Sequence, residues 1–205
     1  MIGRSDVPQE PTEAGTALRQ TRAWLHGAVI GLNLCPFAKA PYARGRVRFV
    51  VSDATSTDAL LAALGDELAH LTAVDENETE TTLLIHPQVL HDFLAFNDFL
   101  DDADALIAAA GLEGVVQLAS FHPRYQFAGT DVDDIGNATN RSPYPVLHLL
   151  RESSIERALA AVPDTDAIFT ANIETLERLG AAGWAALEAI WRAEAKDAEP
   201  PAREG

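Results

Sequence analysis

Three short segments rich in β-branched and aromatic residues punctuate the first 122 residues: Arg46–Ser52 (RVRFVVS), Thr81–His86 (TTLLIH) and Val115–His122 (VVQLASFH). Between them, apolar residues recur at helical intervals. Leu60, Leu61, Leu64, Leu68 and Leu71 share one stripe behind Ser56 or Thr57 as cap; Phe93, Phe96, Leu100, Ala103 and Ile107 share another, with Gly111 as its stop. Strand–helix units repeating about every 35 residues have the size of βαβ crossovers. The pattern therefore predicts an α/β fold, a small and mostly parallel sheet of about three or four strands with covering helices.

The flanks complete this picture. Thr12 is placed to cap a helix over about 13–33, with Leu18, Leu25, Val29 and Leu32 on one stripe and Asn33–Pro36 as its end. Residues 123–142 form a long polar loop without periodicity, a kind usually functional or disordered. Beyond it the pattern predicts a helical C-terminal third. A helix near 144–151 follows Pro143 and Pro145, a second starts with Ser153 and Glu156 in capping-box spacing, and two more lie near 172–179 and 182–195 around Gly180 and Gly183. Residues 1–11 and 196–205 read as disordered, Pro- and Glu-rich tails, leaving one domain over 12–195.

Charge and cysteine usage exclude several classes. The formal net charge is −16, against a phosphate-binding face and hence against nucleic acid as a partner. The lone Cys35 rules out an internal disulfide and points to a reducing compartment. No apolar run approaches the roughly 18 residues of a membrane span, and the polar N-terminus resembles neither a signal nor a transit peptide. A soluble cytoplasmic protein without membrane contact is expected. The charge is also uneven: residues 49–123 hold fourteen acids and no Lys or Arg, whereas Arg44, Arg46 and Arg48 cluster, as do Arg124, Arg141 and Arg151. Arginines gathered on loops of an acidic chain can build a local anion site, or simply pair with nearby acids.

Two strands end in His-Pro, placing His86 and His122 at the carboxyl edge where open α/β sheets bind ligands. His86 reads as a strand stop. His122, followed by Arg124 and Tyr125, reads as a candidate acid or base. In 137–152, Asn140, Arg141 and Ser142 precede the expected helix start, where free N–H groups and a guanidinium fork suit a carboxylate or phosphate. His148 and Arg151 lie about one turn apart on that expected helix; the competing reading is a structural plug satisfying loop carbonyls. Cys35 precedes Pro36, so it is placed to cap a helical turn, near Lys39; a buried packing thiol is the plainer alternative. Asp131, Asp133 and Asp134 are acid–base candidates by location only. No nucleotide, hydrolase-elbow or paired-cysteine template is present.

These residues carry a resemblance. Trp24–Ala38 (WLHGAVIGLNLCPFA), Phe121–Gly129 (FHPRYQFAG) and Asn137–Glu152 (NATNRSPYPVLHLLRE) resemble a bacterial family catalogued as domain of unknown function 1415. The resemblance covers most of the chain between the tails and implies no activity.

The residues themselves favour an enzyme acting on a small anionic metabolite at a site formed by the 122–151 loop and Cys35. Cys35, His122 and His148 would be catalytic, and Arg124, Asn140, Arg141, Ser142 and Arg151 would bind the ligand. The sequence names no cofactor, metal or oligomeric state. The alternatives are a binding or adaptor protein using the acidic 53–104 face for a basic partner, and a single-thiol redox protein built on Cys35.

Overall fold

A computed structural model describes residues 12–160 and 165–193; the tails expected at 1–11 and 196–205 lie outside them. Helix α1 (Glu13–Trp24) starts at Thr12, whose hydroxyl accepts the Gly15 N–H at 3.1 Å. It widens into a π-helical turn at Leu25–Ile30 and so ends earlier than the single 13–33 helix expected. Gly31 closes this turn because a Cβ there would collide with the Gly27 carbonyl oxygen. After the short α2 (Lys39–Ala43), the predicted units follow in order: β1 (Val47–Val51), α3 (Thr57–Ala73) capped by Ser56, β2 (Thr81–Ile85), α4 (Phe93–Ala109) capped by Asp92, and β3 (Val116–Phe121). Gly111, at φ 70°, takes the left-handed backbone that stops α4.

The sheet is mixed rather than mostly parallel. Residues 144–151, expected to be helical, instead form β4 (Val146–Arg151), which lies between β2 and β3 in the order β1-β2-β4-β3. β1 runs parallel to β2, and β4 runs antiparallel to both β2 and β3. The reason is burial on two faces. Leu147 and Leu149 join the cluster on the α3–α4 side, while Val146 packs with α1 on the other, which suits a central strand buried on both faces better than an amphipathic helix. The strand ends of His86 and His122 consequently flank β4 rather than one another.

The two faces carry two cores, giving three layers. One packs Leu60, Leu64, Leu68, Phe96 and Ile107 against Leu84 and Leu149; the other packs Trp24, Val29, Leu176 and Trp184 against Leu83 and Ile85. After β4 come α5 (Glu152–Leu159) and α6 (Thr165–Ala193). The capping box of Ser153 and Glu156 does not form, because Arg151 occupies the cap position with no side-chain bond to the helix. α6 breaks at Gly180 (φ 68°, ψ 171°), as its glycine suggested, and begins upstream of the expected 172.

Candidate functional site

The helix-α1 side of the sheet is not completely filled. Register sets two rows across its floor: Val47, Thr81, Leu150 and Gln117 in one, and Leu83, His148 and Ala119 in the next. Ala119 beside His148 leaves room where a larger side chain would stand, and a cavity of about 600 Å³ opens above these rows. Its walls are Trp24, Leu25 and Val29 around the π-helical turn, the Cys35–Pro41 segment, and Ile155 and Arg157 of α5. That volume lies within the usual range for a small-molecule site, and the apolar walls with few polar groups are typical of one.

Cys35 lies on this wall. After Pro36 the chain turns, the Ala38 N–H donating to the Cys35 carbonyl at 3.2 Å, and the backbone amides of Phe37 and Ala38 lie near enough to the thiol to favour its charged form. Burial outweighs those amides and pushes the thiol above its ordinary pKa. Cys35 is therefore a protonated thiol at neutral pH.

His148 lies on the floor in β4 and not on a helix beside Arg151. The Thr81 hydroxyl sits 2.6 Å from its Nε2. Burial between two strands pulls its pKa down to about 4, so the ring is neutral. Its accessible surface is that of a half-buried residue, and it lines the cavity. Cys35 and His148, both named from sequence, thus share one space.

The other histidines are elsewhere. His86 and His122 sit at the opposite end of the strands, both packed against Phe96 at ring-centroid distances of 5.7 and 5.1 Å. Both are buried. His122 places Nε2 at 3.2 Å from the Leu90 carbonyl, while Nδ1 accepts the Arg124 N–H at 3.0 Å. Both nitrogens of His122, the expected acid or base, are engaged by the protein, and it does not line the cavity that Cys35 and His148 share. His86 donates Nδ1–H to the Val89 carbonyl at 3.1 Å.

The loop expected to bind an anion spends its donors on the protein's own carbonyls. Arg141 donates to the carbonyls of Tyr125 and Val132, Asn140 to Ser120, and the Ser142 hydroxyl to Tyr144. Arg151 closes over the carbonyls of Leu71 and Val74 at the end of α3 and of Thr79 just before β2. Arg124 lies exposed beside Asp92 and the His91 carbonyl. Buried Asn137 organises the loop, accepting from Phe127 N–H and Thr130 and donating to the Asp131 carbonyl. The guanidinium groups of Arg141 and Arg151 are thus committed to the protein's own carbonyls, which an anion would have to displace. Asp131, Asp133 and Asp134 are exposed on this loop, away from the cavity lining.

Sequence reasoning missed Thr81, Glu80 and Arg157. The first was legible as a strand residue two positions before Leu83, hence on the same face. Glu80 and Arg157 meet at the cavity margin at 3.9 Å, although they stand on opposite sides of the polar loop in sequence. Among the described residues no three His, Cys, Asp or Glu side chains gather as metal ligands, and none of the helices is long and apolar enough to cross a membrane.

A family model described as a protein of unknown function, DUF1415, matches residues 16–186. The chain belongs to the DUF1415 family. No curated protein and no solved structure matches it. The matched span contains every cavity-lining residue of this DUF1415 chain, from Trp24 to Ala158.

Proposed function

We propose that this protein is an enzyme that binds a small, largely apolar molecule in the cavity over the sheet and acts on it with His148 and Cys35. The observation that carries the reading is the shared cavity: the only thiol of the chain and an imidazole with an unspent nitrogen line the same apolar space. The lone thiol fits a reducing, cytoplasmic setting. Of the 122–151 segment, strand β4 contributes the floor residue His148, while the loop before it bonds to its own carbonyls and to Ser120 of β3.

A second reading, a carrier or sensor without chemistry, is favoured by one observation. A proton passing from a thiol pushed upward to an imidazole pulled down to about 4 moves steeply uphill, so the resting pair is neutral on both sides. The same raised thiol weighs against a peroxide-sensing cysteine, which needs a low pKa.

The test is a metabolite screen read by thermal shift, by protection of Cys35 from iodoacetamide, and by mass spectrometry for conversion. The enzyme reading expects compounds that raise Tm and shield Cys35 together, with conversion lost in His148→Gln. Shielding without conversion in any compound would leave the carrier reading. Compounds that raise Tm without shielding Cys35 would place the ligand elsewhere and sink both.

A further inference from the structure

Thr81 decides which face of His148 the cavity meets. Its hydroxyl lies 2.6 Å from the Leu149 carbonyl oxygen and 2.6 Å from His148 Nε2. A hydroxyl has one proton, and a carbonyl oxygen can only accept. Donating to the ring instead would press the Thr81 lone pairs against those of Leu149 at 2.6 Å. The proton therefore goes to Leu149, Thr81 accepts, and His148 carries its hydrogen on Nε2. Nδ1 is left with a bare lone pair. Among the described residues it has no hydrogen-bond partner, and unlike Nε2 of His86 it is not a fully enclosed atom.

We infer that His148 Nδ1 is a fixed acceptor on the cavity floor and that the ligand is a neutral molecule placing a hydroxyl or N–H donor against it. A carboxylate or phosphate oxygen at that point would meet lone pair with lone pair inside apolar walls, at the cost of desolvating a charge. The anionic ligand suggested by the arginines does not fit here. This inference rests on reading the cavity as a ligand site, and it makes Thr81 a positioning residue.

The experiment uses the full chain labelled with ¹⁵N, with His148 assigned by comparison with His148→Gln. Imidazole nitrogen shifts should show Nε2–H in the wild type and in Thr81→Ser, and a mixture of tautomers in Thr81→Val. Nδ1–H in the wild type overturns the inference, whatever binds. Three probes of one shape are then added: 2-naphthol, 2-methoxynaphthalene and 2-naphthoate. The donor-bearing 2-naphthol should move the Nδ1 resonance and bind about tenfold tighter than the methoxy compound, the size of one hydrogen bond. If 2-naphthoate moves Nδ1 and 2-naphthol does not, the inference fails while the cavity stands as a ligand site. If none of the three perturbs His148 or shields Cys35, the cavity reading falls and takes the ligand class with it.

Discussion

Arg48 on β1 and Glu67 on α3 form a two-pronged ion pair, with Nε 2.8 Å from Oε2 and Nη2 3.0 Å from Oε1. Glu67 is the more enclosed partner, at 11% side-chain exposure against 38% for Arg48. Removing the arginine strands a nearly buried carboxylate, whereas removing both charges does not. Arg48→Met should cost roughly 1–3 kcal/mol after allowance for the exposed guanidinium. Arg48→Met with Glu67→Gln should recover part of it. Urea denaturation of the two variants checks this, and equal losses would show that the pair is solvated.

Acid should destabilise the fold through His86 and His148, both held at about 4 by burial. The unfolded chain binds these protons near the ordinary value of about 6.5 and the native state only near 4, so unfolding takes up protons between the two values. Stability is therefore full above about 6.5 and falls as pH drops toward 4, by roughly 3 kcal/mol per histidine at the lower end. His86→Leu should remove one histidine's share of that slope, to which buried His122 also contributes, while lowering stability at pH 7, because the Val89 carbonyl loses its donor. Denaturation midpoints from pH 7 to pH 4 measure both effects.

Arg151, from its place on β4, binds the carbonyls of Leu71 and Val74 at the end of α3 and of Thr79 before β2. Arg151→Ala should lose roughly 2–4 kcal/mol, since the carbonyls on this half-buried site lose their donor. Arg151→Lys should restore little, because a single ammonium cannot reproduce the fork. Had this arginine been a ligand group, the alanine variant would keep its Tm and lose only binding.

Cys35 should react slowly with iodoacetamide at pH 7, with a midpoint above the ordinary thiol value. Cys35→Ser should leave the fold intact, since a hydroxyl is no larger than the thiol and the backbone bond from Ala38 to the residue-35 carbonyl does not involve the side chain. A midpoint below that of a free thiol would mean that the Phe37 and Ala38 donors outweigh burial.

Ala119 leaves the space beside His148. Ala119→Leu should fill it, abolishing shielding of Cys35 by ligands while changing Tm by only a few degrees, as a side chain grown into open space does. Unchanged shielding would place the ligand away from the cavity floor.

Local chemistry wrote much of the fold into the sequence. Ser56 and Thr12 carry the cap oxygens that start α3 and α1, Gly111 takes the positive φ that stops α4, and the runs at 47–51, 81–85 and 116–121 are strands by composition. Cys35 and His148 were recognisable as chemistry-bearing residues for the same reason: a thiol at a Cys-Pro turn and an imidazole in an apolar run are visible one residue at a time.

Tertiary structure decided the rest. VLHLLR reads equally as a helix or a strand, because a short apolar run has no period to choose between them. The gap between β2 and β3 makes it β4. Once β4 is in place, its register puts His148 beside Thr81 and Ala119 and away from Arg151, sets Cys35 across the same cavity, and leaves His122 on the far edge. Caps, turns and strand runs are fixed by neighbours in the chain. Which side chains meet across a sheet depends on strand order and register, and those are settled only when both faces are buried at once.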